Sequence, residues 1–266
     1  MTAHEPIFAL RGVSKSFGGF TALSDINLTI WPGERVALLG PSGAGKSTLI
    51  GLLNGSLQAS EGEVRVLGHD LGQLPARARR HVQQQVGTIY QQFCLVDNLR
   101  VIHNVNAGHL VRWSLPKALL SLLWPLETHT AAQALAQVGI PDTLYVRTSQ
   151  LSGGQQQRVA VARVLVQNPT AILADEPISN IDPERSREVM DLLRDLSHRS
   201  GKTLVTSLHL VDYARSHFER IVGLRGGRIF FDCAAHDVSP AMFAALYMID
   251  GRAGEGQRDS ATAVGA

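Results

Sequence analysis

The chain has 266 residues, with 25 Lys plus Arg against 23 Asp plus Glu and a formal net charge of +2. At 44% hydrophobic and 18% charged residues, it is too apolar for a disordered polymer and too sparsely charged for a coiled coil, which leaves one large globular domain or a core with an inserted subdomain. The balanced charge leaves no electrostatic footprint for nucleic acid, and two cysteines, Cys94 and Cys233, cannot make a disulfide framework and suit a reducing compartment.

The segment Met1-Thr2-Ala3-His4-Glu5-Pro6 has neither the positive flank nor the apolar run of a signal peptide, so export is not expected. The most apolar stretch, 118–126, is interrupted by Ser121 and Pro125 and is about half the ~18 to 20 residues needed to cross a bilayer. A mean hydropathy of +0.02 on so lightly charged a chain asks for buried strands or for a surface that meets a partner.

Taken in order, short β-branched runs bounded by Gly and Pro alternate with longer amphipathic segments, the pattern of an α/β domain with a mainly parallel sheet. Val36-Ala37-Leu38-Leu39 is a continuous apolar run ending at Gly40, as expected of a strand covered on both faces, and a helix should follow from Lys46 to about Leu53. Val64-Arg65-Val66-Leu67 reads as an antiparallel addition. Between about Gln92 and Gln167 the texture is helical, including Thr128 to Val138 and Gly154 to Val166, and reads as an insertion into the core. The core resumes with strands at 171–174 and 203–206, separated by a helix that starts at Pro183 and carries Val189, Leu192, Leu193 and Leu196 on one face. Arg220 to Leu224 and Arg228 to Phe231, joined through Gly226-Gly227, read as a hairpin, and beyond Gly251 a disordered tail is expected.

Gly40-Pro41-Ser42-Gly43-Ala44-Gly45-Lys46-Ser47, followed by Thr48, fits the pattern Gly, four residues, Gly-Lys-Ser/Thr, and it lies between an expected strand and an expected helix. Without that context the pattern arises by chance in roughly one chain in a hundred of this length. Its glycines let successive N–H groups converge on phosphate oxygens, and the helix behind adds positive potential. Lys46 should reach the β- and γ-phosphates of ATP, and the Ser47 hydroxyl should coordinate Mg2+.

The strand at 171–174 ends in two adjacent carboxylates, Asp175 and Glu176. Neighbouring strand residues point to opposite sides, so the two are expected to divide the work, Asp175 facing the metal and Glu176 polarising the attacking water. His209 follows the strand at 203–206, from where it could hydrogen-bond the γ-phosphate and hold Glu176 and the water in line.

Leu151-Ser152-Gly153-Gly154-Gln155, continuing to Arg158, is a second glycine-rich helix start that one phosphate site does not need. With the phosphate loop, Asp175-Glu176 and His209 in this order, it resembles the signature of the ATP-binding-cassette (ABC) family over about residues 7 to 235. The resemblance implies a P-loop NTPase core with a mainly parallel sheet, an antiparallel β subdomain and an inserted α-helical subdomain. It implies one ABC ATPase domain over 1–250, with the core at 5–91 and 167–235 and the helical subdomain at about 92–166. It further implies a head-to-tail dimer in which Leu151, Ser152, Gly153, Gly154 and Gln155 of one copy meet the γ-phosphate held at the other copy's Lys46 loop. Gln91, in Tyr90-Gln91-Gln92-Phe93, matches the glutamine loop that meets Mg2+ and links core to helical subdomain. Phe17 matches the aromatic that stacks on adenine, and Asp182 the aspartate of the dimer interface. Ile181 stands where Leu is common and Leu210 where an acidic residue is frequent.

Finer features, Gln91-Gln92-Phe93 with Leu95-Val96, the run Ser152 to Arg158, and Leu208-His209 leading to Val211-Asp212-Tyr213-Ala214, are similar to ATPase subunits of phosphonate importers. That implies a peripheral ATPase on the cytoplasmic face of the inner membrane, working with transmembrane permease subunits and indirectly with a substrate-binding protein. ATPases of amino-acid import and lipoprotein release share much of the pattern. A soluble chromosome-maintenance ATPase would insert long coiled coils between Gln91 and Leu151, which lie only 60 positions apart without sustained heptads. A tandem translation-factor ATPase would carry each motif twice, and a binding-only cassette would lack some of Lys46, Asp175, Glu176 and His209. For the remaining features the expectations are plain: Trp113 and Trp124 pack within the helical subdomain, Cys94 is a small buried hydrophobe, and Arg77, Arg79 and Arg80 form a solvated helix face.

Overall fold

The computed structural model describes residues 5–179 and 182–248. The tail expected from residue 251 onward, and Ile181, lie outside the described residues. Strands β1 (Phe8–Phe17), β2 (Phe20–Ile30), β4 (Glu61–Val66) and β5 (His69–Asp70) form an antiparallel sheet in the order β2-β1-β4-β5. In β2, Ile26, Leu28 and Ile30 are buried while the exposed Asn27 and half-buried Thr29 alternate with them, the period of a sheet with one covered face.

The second sheet is the middle layer of the molecule, in the order β10-β9-β3-β8-β7-β6. Its strands β9 (Arg220–Arg225), β3 (Arg35–Leu39), β8 (Thr203–Leu208), β7 (Ala171–Asp175) and β6 (Val86–Ile89) are parallel, and β10 (Arg228–Ala234) pairs antiparallel with β9. The apolar runs are continuous because both faces are covered. Val36 and Leu38 of β3, with Leu173 of β7 and Val205 of β8, join the antiparallel sheet and helix α1 (Lys46–Leu53) in one core. Ala37 and Leu39, with Ile172, Ala174 and Leu204, join the helices in the other.

Helix α2 (Ala76–Gln84) follows β5, and β6 follows it. From there to β7 the described chain is helical: α3 (Val101–Asn106), α4 (Leu115–Leu123), α5 (Thr128–Gln137) and α6 (Gly153–Gln167), with short 3-10 turns between them. After β7 come α7 (Pro183–Ser200), α8 (Val211–His217) and α9 (Pro240–Tyr247), the last beyond the stretch assigned to the core from sequence. No helix among the described residues is long and apolar enough to cross a membrane.

Three expectations need correction. Cys94 is exposed, because the chain turns left-handed at Phe93 and Cys94 (φ 40° and 48°) and carries the side chain outward. Trp113 is half-buried and stacks on His109 at 5.1 Å between ring centroids, but Trp124 is 68% exposed where the chain leaves α4 in an extended conformation. Among the described side chains of α4, the small Ala118 and Ser121 are the ones turned inward, and Leu115, Leu119 and Leu120 are exposed. Arg77 and Arg80 are solvated as expected, whereas Arg79 folds inward and donates to the Leu74 carbonyl at 3.3 Å.

Candidate active site

The site lies at the carboxyl ends of β3, β7 and β8, the edge where open parallel sheets take their ligands. The loop from Gly40 to Ser47 leaves β3 and enters α1. Two glycines in it are dictated by space and conformation. A Cβ on Gly40 would sit 2.2 Å from the Leu224 carbonyl oxygen, and Gly45, the N-cap of α1, has φ 101° with Leu23 Cδ2 only 2.6 Å from a would-be Cβ. No side chain caps α1 and no acid occupies its first turn, so its N-terminal N–H groups and their potential are left to the loop. Ser42 and Gly43 are exposed, Pro41 and Thr48 half-buried, and Ala44 is packed into the core.

Lys46 is only 4% exposed. Its ammonium donates to the carbonyls of Gly40 at 2.8 Å and Pro41 at 3.2 Å and stands 3.8 Å from Glu176 Oε1. Burial lowers its pKa from the usual lysine value, and the carboxylates of Glu176 and Asp175 oppose that shift. The lysine therefore carries a desolvation cost that an anionic ligand would offset.

Strand β7 places the two carboxylates, although alternation along a strand is not what separates them. The strand ends at Asp175, and the chain turns left-handed at Glu176 (φ 47°). For a residue other than glycine this costs of order 1 kcal/mol and is met at sites that the surroundings over-determine. Ser207 of β8 accepts the Glu176 N–H at 2.8 Å, and Ser179 donates its hydroxyl to the Glu176 carbonyl at 3.1 Å. Asp175 Oδ1 accepts from Ser207 at 2.7 Å and from Ser47 at 3.2 Å. Glu176 Oε1 turns the other way and lies 2.5 Å from His209 Nε2, which places a proton on that nitrogen.

Ser207 and Ser179 are the residues that sequence reasoning missed. Ser207 lies just beyond the strand expected at 203–206, and it is the register opposite Asp175 that brings it to the site.

The glutamine and signature segments join this site through α6. Gln91 is exposed, and its amide donates to Ser179 Oγ at 3.3 Å, with no described hydrogen bond to Ser47 or Asp175. Just beyond it, Arg163 of α6 donates to the Phe93 and Cys94 carbonyls at 2.9 and 2.7 Å, and the buried Gln157 of α6 donates to the Pro177 carbonyl, one residue past Glu176. At its start α6 is capped reciprocally by Ser152 and Gln155. Leu151 is buried, and a Cβ on Gly153 would meet no atom within 4 Å. Asp182 is exposed and caps α7 by accepting from the Arg185 N–H at 3.0 Å. Phe17, 45% exposed at the end of β1, has the Lys15 ammonium 4.8 Å from its ring centre.

Among the described residues no three His, Cys, Asp or Glu side chains cluster as a metal cage. The donors brought into direct contact are one hydroxyl and one carboxylate, Ser47 and Asp175, and the Gln91 amide stands on the adjoining loop, tied to Ser179. This set fits Mg2+, a hard cation that keeps waters and takes its remaining oxygens from phosphates.

Residues 23–179, more than half of the chain, match the ABC transporter family. The chain belongs to the ABC transporter family. Among its ABC relatives, the phosphonates import ATP-binding protein PhnC of Pseudomonas putida is 43% identical over 93% of this chain and 92% of its own length. PhnC of Rhizobium etli is 43% identical over 92% and 87%. Of the solved ABC structures, the cassette MJ0796, a dimer bound to ADP and Pi in a post-hydrolysis state, superposes with a TM-score of 0.74 at 31% identity, covering 86% of this chain and 98% of that one. The cbiO1 protein of Clostridium perfringens, part of the ABC transporter complex cbiONQ, gives 0.75 at 27% identity over 90% and 91%. The fold is that of an ABC cassette, and the chain is an ATPase of that family.

Proposed function

We propose that this ATPase powers an importer of phosphonates and hydrolyses Mg-ATP at the site bounded by Lys46, Ser47, Asp175, Glu176 and His209. The observation that carries the reading is the placement of Glu176 Oε1, in contact with the His209 imidazole and 3.8 Å from Lys46 Nζ at the mouth of the phosphate loop. Glu176 polarises a water for in-line attack on the γ-phosphorus; the new P–O bond forms as the bond to the bridging oxygen breaks, and ADP and phosphate leave. His209 holds Glu176 in line and donates to the γ-phosphate. Lys46 and the loop N–H groups bind the phosphates, Phe17 supports the adenine, and Ser47, Asp175 and Gln91 are the residues that would hold Mg2+. When bound, the cation neutralises charge on the β- and γ-oxygens.

The signature residues 151–155 and Asp182 act across a dimer of two copies, each completing the other's site. The exposed start of α6 and the dimeric MJ0796 cassette support this. The all-helical stretch at about 92–166 is the subdomain that meets the permease, and the protein is thereby held at the cytoplasmic face of the membrane. Arg163 supports this role, since it ties the segment after Gln91 to the helix that begins with the signature. The outward leucines of α4 and Trp124 offer that subdomain an apolar face. The cargo assignment is supported by 43% identity to PhnC proteins.

Replacing Glu176 by Gln should leave ATP binding intact and reduce hydrolysis by at least ~10²-fold, the scale of a lost general base. Turnover near the native rate would refute the role of Glu176. Reconstitution with its permease and binding protein should give ATPase stimulated by phosphonates, and stimulation by an amino acid instead would overturn the cargo.

A further inference from the structure

Helix α9 reaches the site from beyond the catalytic loops. Leu246 is fully buried, Phe243 meets Phe231 edge-on with centroids 6.4 Å apart, and Arg225 donates to the Ala245 carbonyl at 2.8 Å. This packing aims the hydroxyl of Tyr247, the last residue of α9, at the main-chain carbonyl of His209, to which it donates at 3.1 Å. The phenol is half-buried, and burial raises its pKa above the usual tyrosine value. The polar main chain at Gly40 works against that rise.

This hydroxyl thus ties the end of α9 to the residue carrying the catalytic imidazole. His209 lies one position beyond the last β3–β8 pair, Leu39 and Leu208, where the ladder no longer fixes the backbone. Apart from the sheet, the described contacts on the His209 residue are those of its ring with Glu176 and of its carbonyl with Tyr247.

We infer that Tyr247 is a positioning residue for hydrolysis: by donating to the His209 carbonyl from the packed end of α9, it fixes the turn that presents the imidazole to Glu176. Tyr247 lies outside the stretch 23–179 matched by the family. The inference rests on the roles proposed above for Glu176 and His209.

The test is Tyr247→Phe in the full-length protein, which keeps the ring and removes only the hydroxyl. Single-turnover hydrolysis at saturating Mg-ATP should slow about fivefold, the equivalent of one ordinary hydrogen bond, while equilibrium ATP affinity stays within about twofold and the melting temperature is unchanged. An unchanged single-turnover rate overturns the inference. So does a rate loss matched by equal losses of nucleotide affinity and thermal stability, since the hydroxyl would then serve the fold and not the chemistry. The Glu176→Gln variant separates the two levels: if it is inactive while Tyr247→Phe is silent, only the role of Tyr247 falls; if it turns over like the native protein, the reading of the whole site fails.

Discussion

Two glycine-rich loops in this chain open helices, and they differ in what surrounds them. The loop before α1 is enclosed: Lys46 is buried over its carbonyls, Gly40 and Gly45 are wedged against neighbouring chain, and Asp175 and Glu176 stand within reach. The loop before α6 is open: Ser152 is exposed, and Gly153 has nothing within 4 Å of a would-be Cβ. Both leave N–H groups available at a helix start. The first holds a buried lysine against two carboxylates of its own, whereas the second is rimmed by the more exposed Arg158, Arg185 and Glu188. The contrast is the structural basis for reading the first as a complete phosphate cradle and the second as half of a site finished by another copy.

The sharpest way to break that contrast is Gly153→Glu. The position is free of steric conflict in one copy, and an acid in the first turn of α6 should stabilise the helix by ~0.3 to 1 kcal/mol. If the loop donates to a γ-phosphate in the dimer, the same carboxylate repels it, and turnover should fall by ~10²-fold or more with ATP binding to the single chain unchanged. Native turnover in this variant would mean that the open loop serves only its own helix.

The enclosed loop gives the next largest effect. Lys46→Met removes a buried ammonium whose pKa is lowered chiefly by burial, so nucleotide affinity should fall by about 10- to 100-fold while the ligand-free protein gains on the order of 1 kcal/mol. The sign follows from linkage. The folded pKa lies below 10.5, so the unfolded state binds more protons between the two values and native stability rises with pH across that window. The burial penalty is in force below the folded pKa, and the advantage of the variant should therefore shrink as pH approaches 10.5. Urea unfolding at neutral and alkaline pH measures both. A variant less stable than the native protein at neutral pH would show that the Glu176 and Asp175 carboxylates outweigh desolvation.

How far the sequence led also differs between the loops and their supports. The phosphate loop, the start of α1 at Lys46 and the carboxylate pair were readable because glycine spacing and an apolar run act locally. The antiparallel strands β1 and β2 are less legible: Ile26, Leu28 and Ile30 carry the alternation of a strand, but three register shifts in the pairing interrupt the period along β1. The parting of Asp175 from Glu176 was expected, but the reason given, strand alternation, was not the operative one. A left-handed glutamate is not written in local sequence: it depends on Ser207, 31 residues away, and on Ser179. Tyr247 is likewise joined to His209 across 38 residues. Local patterns announced the groups that perform chemistry, while the groups that aim them came from tertiary pairing.

Ser207→Ala tests that division with the smallest change. Alanine suits a buried position in β8, but it leaves the Glu176 N–H without its acceptor and Asp175 without one of its two hydroxyl donors. An orphaned buried N–H costs ~1 to 3 kcal/mol, so the urea midpoint should move down by that equivalent. If the strained turn at Glu176 is what aims its carboxylate, hydrolysis should also slow about 3- to 10-fold with nucleotide affinity retained, because the groups remain while their alignment loosens. A loss of stability with a native rate would assign the turn to the fold alone, and the aim of Glu176 would then rest on His209.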